Sequence, residues 1–292
     1  MWENHCKIWK HQDLTFKTRK SEEYLSKHKG NVVILMIFKE NIKLNQGGRE
    51  VDFDFYQQTQ RTYFSFICYY IDKQNNFVKR HFDVISKALD HSTDFVICAI
   101  DRLFSQTWFK EMNFTQREFW SDTGPHFRSY QMLHYLLEYY NEKIQINFFG
   151  EKHGKSPCDA HFSMISRYKK DFEKRERINT SEQLIDRIQE KMTNSLPQKN
   201  TKGPIKIYNF DIMDIMNVPL NTRLALTFKN ITSYYSFSKS NDHLVVGILS
   251  GNEKEENHLF YNTKNLKEKE KKKKKQHQTF QQKNNVLEKI NN

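Results

Sequence analysis

Two short segments hold residue types that could do chemistry. The first is Phe119-Trp-Ser-Asp-Thr-Gly-Pro-His-Phe-Arg128; the second is Phe148-Phe-Gly-Glu-Lys-His-Gly-Lys-Ser-Pro-Cys-Asp-Ala-His-Phe162. In the first, Asp122 follows a strand-like run, Glu118–Ser121, so its carboxylate would project from a sheet edge. In the second, Asp159 falls in the first turn of a helix-patterned stretch, where the helix dipole favours negative charge. Carboxylates so placed are the hard oxygen donors that divalent cations such as Mg²⁺ require. The second segment also has the residue types of two other chemistries. Gly150–Ser156 resembles a phosphate-cradling loop, but three residues separate its glycines where four are needed, and Pro157 interrupts the run of amides. A tight turn that orients Asp159 fits better. His153, Cys158 and His161 are zinc-ligand types, yet no second pair lies nearby and Zn²⁺ wants four donors. We read His153 and His161 as flanking the site or meeting phosphate, and Cys158 as a small packed hydrophobe.

The elements that must position these residues follow from hydrophobic spacing. Asn31–Phe38 is a continuous apolar run, the pattern of a strand buried on both faces. Thr62–Ile71 and Phe77–Ser86 read as second and third strands, and Lys143–Phe149 as a fifth after Glu118–Ser121. Helical spacing appears in Asp90–Phe104, Phe127–Tyr140 and Cys158–Phe172. Thr180-Ser-Glu-Gln183 looks like a capping box opening a helix through Met192. Three strands followed by alternating helix and strand predict an α/β fold, a mixed sheet flanked by helices in the RNase H-like order. Crossover handedness then sets the fourth and fifth strands beside the first.

The two segments resemble the second and third catalytic motifs of eukaryotic DDE/D cut-and-paste DNA transposases, which have the forms SDG…F and FF…HGKGPCDG. Mutator-like elements are the group most resembled, and the similarity covers roughly residues 30–175, including the less specific Ser86–Asp94. The resemblance implies an RNase H-like core, DNA as partner, and catalysis by Asp122 and Asp159 holding Mg²⁺ or Mn²⁺. It also implies a first carboxylate on the first strand, in a pattern like D-F-x-E-N. Here Met36-Ile37-Phe38-Lys39-Glu40-Asn41 stands there, with Ile37 in place of the Asp.

Ile37 offers no oxygen. Two-metal phosphodiester chemistry holds two ions ~3.5–4 Å apart, which needs clustered carboxylates against the ions' mutual repulsion. Glu40 could substitute only if a bulge or bend aimed it inward; Asp52 and Asp54 lie in the next connection. Catalysis is therefore expected to be impaired.

The charge balance is 47 Lys plus Arg against 35 Asp plus Glu, or +12. Half of that sits in Lys264–Lys275, with eight lysines and two glutamates, so the rest of the chain argues only weakly for nucleic acid. Lys271, Lys272, Lys273, Lys274 and Lys275 read as a nuclear localisation signal, a DNA-clamping tail or a solvated run. With Arg128, His153, Lys155 and His161 they make up the expected nucleic-acid contacts. The four cysteines form no C-x-x-C pair, Met1–Lys10 shows no signal-peptide pattern, and the longest apolar run is far short of the ~20 residues a membrane span needs. The expectation is a reduced, soluble, nuclear protein with no membrane partner; self-association is left open. The expected organisation is an N-terminal stub (1–30), the core (31–195), a small β-rich module (205–250) and a low-complexity, disordered basic tail (252–292).

Three readings follow. The first is a transposase-derived nucleic-acid-binding protein with impaired catalysis. The second is an active metal-dependent transposase or nuclease using Asp122, Asp159 and a substitute carboxylate. The third is a non-catalytic protein-interaction module.

Overall fold

Alternation along the first three strands decides which helices each side chain meets. The computed structural model of the chain describes residues 2–44, 59–139, 143–150, 157–195, 203–213, 230–240, 243–251 and 255–259. Within it β1 (Asn31–Leu44), β2 (Thr59–Ile71) and β3 (Phe77–Ser86) form an antiparallel meander. Successive Cβ atoms of a strand point to opposite faces. Val32, Ile34, Met36, Phe64, Phe66 and Cys68 accordingly enter one core, while Val33, Leu35, Tyr63, Ile67 and Tyr69 enter the other. Burial on both faces is why these strands read as unbroken apolar runs.

The strand β4 (Gln116–Ser121) pairs parallel to β1, and β5 (Lys143–Phe148) pairs parallel to β4. The central order β3-β2-β1-β4-β5 is that of the RNase H-like α/β fold. One face is covered by α3 (Thr93–Ser105), α4 (Thr107–Met112) and α5 (Tyr130–His134), the last continuing as a π-helical turn through Tyr139. Ser92 and Ser129 cap α3 and α5 by accepting the Phe95 and Met132 amides. The other face is covered by α1 (Trp2–Arg19), α2 (Glu22–Lys27), α6 (Pro157–Glu173) and α7 (Ser181–Ser195).

Three expectations change. The stretch expected as a stub holds two helices, α1 and α2, packed on the sheet. Gln12, fully buried, donates to the Phe148 carbonyl and Ser250 Oγ and accepts the Ser250 amide. The C-terminal segments are strand-rich as expected, yet they extend the core sheet. β6 (Ile205–Ile212) pairs parallel with β3, whereas β7 (Ser236–Ser240), β8 (His243–Gly247) and β9 (Glu255–Leu259) continue from β5. The result is one nine-stranded sheet among the described residues. β9 also lies within the stretch assigned to the tail, because its backbone finds β8 as a partner; residues 260–292 lie outside the described residues. No helix among the described residues is long and apolar enough to cross a membrane.

Candidate metal and nucleic-acid site

Asp122 follows the last residue of β4. The β1–β4 register runs from Asn31↔Gln116 to Leu35↔Trp120, so two residues further Ile37 stands level with Asp122. Across the sheet Ile37 pairs with Ser65 of β2, and Ser65 pairs with Asp83 of β3. Ile37, Ser65 and Asp83 therefore lie in one row on the face covered by α6, and Asp122 stands level with that row just past the end of β4.

The row divides into two environments. Asp122 is exposed, and its Oδ1 accepts the Gly124 amide at 2.7 Å. The Gly124 carbonyl in turn accepts the Phe127 and Arg128 amides, making a tight turn. A Cβ at Gly124 would lie 2.7 Å from His126 Cε1, 2.8 Å from Asp122 Oδ1 and 2.9 Å from His126 Nε2. Only glycine lets those groups converge. His126 packs edge-on against Phe38 at 4.9 Å between centroids, and His91 stacks on the same ring at 4.5 Å. Burial holds the His126 imidazole below its usual range; Asp122 pulls the other way and His91 adds to the lowering. Its Nε2 is buried without a hydrogen bond.

At the other end of the row, Asp83 is fully buried and accepts from Ser65 Oγ at 2.5 Å and Tyr63 OH at 2.9 Å. His161 Nε2 of α6 lies 2.7 Å from Asp83 Oδ2, the oxygen that also accepts from Tyr63. Burial pushes the Tyr63 hydroxyl well above its normal range, with Asp83 reinforcing the shift. His81 meets His161 at a tilt, 4.2 Å between centroids, and stacks on Tyr208 at 4.8 Å. Burial, chiefly, holds His81 far below the usual histidine range. Below Asp122 on β4, Glu118 is also buried, accepting Trp120 Nε1 at 2.8 Å with Arg19 at 4.0 Å. Its pKa is raised by burial against the opposing pull of Arg19 and Trp120.

The sequence-predicted residues are therefore distributed unevenly. In the motif of α6, His161 reaches the sheet at Asp83, and at ~100° per residue Asp159 radiates about 160° away from it around the axis. Asp159 is partly exposed on the flank of that helix. His161 is 3% exposed and engaged by Asp83, so the expected phosphate contact is corrected to an internal one. Arg128 is corrected likewise. It is buried, donates to the Thr232 carbonyl at 2.6 Å and to that of Tyr234, and lies over the Tyr235 ring at 4.8 Å. It ties residues 232–235 to the core. The backbone of Glu40 lies in β1 where the register shifts between Lys39 and Ile42, a β-bulge; its side chain is outside the described residues. Asp54, His153, Lys155 and Lys271–Lys275 also lie outside them. Among the described residues no three His, Cys, Asp or Glu side chains are grouped so as to hold an ion.

Residues 12–247 match the family model described as a domain of unknown function, DUF8701. The chain belongs to that family. The DUF8701 span runs from within α1 through β8, so it contains both ends of the row and every residue that packs around them. No curated protein and no solved structure gives a match.

Sequence reasoning did not single out Asp83 or His126. The signal for Asp83 was an acid at an inward position of a strand, between Phe82 and Val84. For His126 it was an imidazole two residues past a glycine that could not bear a side chain.

Proposed function

We propose that this DUF8701 domain is a transposase-derived nucleic-acid-binding protein whose RNase H-like core no longer performs two-metal catalysis. The observation that carries the reading is the register that sets Ile37 beside Asp122. In a DDE/D enzyme this neighbour would be the carboxylate that shares both ions; here it is a half-buried hydrocarbon. The β3-β2-β1-β4-β5 order and the two motif resemblances support descent from that class. Nucleic acid remains the partner because the family's fold serves it and because the chain carries +12. That affinity is electrostatic and sequence-tolerant.

The rival reading, an active nuclease with Glu40 as substitute ligand, draws on the β1 bulge, a device that re-aims side chains near active sites. One experiment separates the two. The full chain is titrated onto labelled duplex at two salt concentrations, and supercoiled DNA is incubated with it in Mg²⁺ and Mn²⁺. We expect binding that weakens steeply with salt and no nicking. Nicking that disappears in Asp122→Asn would establish the enzyme instead, and no binding at low salt would remove nucleic acid from the reading.

A further inference from the structure

The Asp122 end of the row holds two unlike donors with a gap between them. Asp122 Oδ1 and His126 Nε2 each lie within 2.9 Å of the point where a Gly124 Cβ would stand. Geometry then limits their separation to under about 6 Å, and an ion with bonds of ~2.1 Å to each would draw them to ~4 Å or less. No hydrogen bond uses His126 Nε2, although the atom is buried. A buried ring nitrogen with no partner calls for an explanation. The ring is not loose: Phe38 meets it edge-on and Phe127 lies 4.3 Å from it, centroid to centroid. Its nitrogen is thus held beside an exposed carboxylate by packing, the arrangement that makes a metal ligand effective.

The donor types narrow the ligand. Mg²⁺ asks for oxygen alone in near-octahedral array. Here Asp122 supplies one carboxylate and His126 one imidazole. Mixed nitrogen and oxygen donors suit Zn²⁺ and its first-row neighbours. We propose that Asp122 and His126 together bind a single Zn²⁺-like divalent ion, whose remaining positions are taken by water and a phosphate oxygen of bound nucleic acid. The proposal rests on the nucleic-acid reading above and deepens it. Two protein donors make a weak site by themselves, in keeping with the lack of any three-residue group. A phosphate that completes the coordination couples the two ligands. The metal then raises affinity for DNA and DNA raises affinity for the metal by the same factor.

The test uses the full chain, with Co²⁺ as spectroscopic probe and Zn²⁺ in the binding assay. We expect Co²⁺ to give a visible ligand-field band, and Zn²⁺ to tighten duplex binding about tenfold over EDTA, within the usual range of such couplings. Asp122→Asn, on an exposed residue, and His126→Gln should each remove the band and bring the Zn²⁺-to-EDTA affinity ratio to one. His28→Asn, at an exposed histidine on α2's C-terminal side, should retain both. DNA binding in EDTA with no Zn²⁺ increment overturns this inference and leaves the nucleic-acid reading standing. A Co²⁺ band that survives both substitutions places the ion elsewhere and overturns it too. A band lost in both variants without any DNA binding overturns the nucleic-acid reading, and with it the proposed phosphate ligand.

Discussion

Replacing Asp83 by alanine should be among the most damaging single changes to this fold. The carboxylate is fully buried and takes Ser65 at 2.5 Å, Tyr63 at 2.9 Å and His161 at 2.7 Å. Each hydrogen bond to a charged group is worth about 1.5–3 kcal/mol, but such contributions do not add within one network. Removing one member of a buried pair typically costs 3–5 kcal/mol, because the partners left behind cannot be rehydrated. We take ~4 kcal/mol for Asp83→Ala. In a domain of 150–250 residues 1 kcal/mol shifts Tm by about 2–4 °C, so a drop near 10 °C is expected. Urea titrations of Asp83→Ala, His161→Ala and the double variant measure it. The double should cost clearly less than the two singles together, since the second change removes a group already stranded. A loss below about 1 kcal/mol, or singles additive within the ~0.5 kcal/mol expected of independent sites, would refute the coupled network.

Two further outcomes follow from the same row. Ile37→Asp inserts a carboxylate level with Asp122, and isothermal titration should register one more bound Mn²⁺ equivalent than in the unmodified chain; unchanged stoichiometry counts against the placement of Ile37. His81 is held neutral by burial, with its folded pKa below the usual 6.5 of a free histidine. The stability this implies is present above pH 6.5 and is lost as pH falls below it, when the unfolded state gains the proton first. His126 and His134 are shifted the same way, whereas Glu118 is raised by burial and favours folding as pH falls. The His81 contribution is therefore read as a difference: melting curves of His81→Phe should lose less stability between pH 6.5 and 5 than the unmodified chain. Parallel curves would show that His81 does not titrate on unfolding.

The core strands were legible because their side chains are apolar on both faces, and the helices because Phe95, Val96, Ala99, Ile100 and Leu103 recur at helical spacing. What escaped was held by polar contacts or distant pairing. α1 buries Gln12 as well as Phe16, so no apolar stripe announces it. The C-terminal strands could be named from composition, but nothing local says that β6 must cross to β3 while β7 continues from β5. Asp122 was visible as an acid at a strand end. Asp83 sits mid-strand, where Tyr63 and Ser65 of the neighbouring strand and His161 from seventy-eight residues away together make a buried carboxylate tolerable.

That arrival also decides where an ion could go. A metal approaching Asp83 would have to displace donors already satisfied at 2.5–2.9 Å, in a place no water reaches. Exchanging such bonds for metal coordination gains little, and the freed Tyr63, Ser65 and His161 groups would each stand buried and unpaired. Asp122 bears no such burden, since the Gly124 amide engages one oxygen and the residue is open to solvent. Ile37 stands between the two in the register. The sheet carries acids on β3 and at the end of β4, with a hydrocarbon on β1 between them. It leaves the β3 acid to bind helix α6 to the sheet and the β4 acid to face whatever comes from outside.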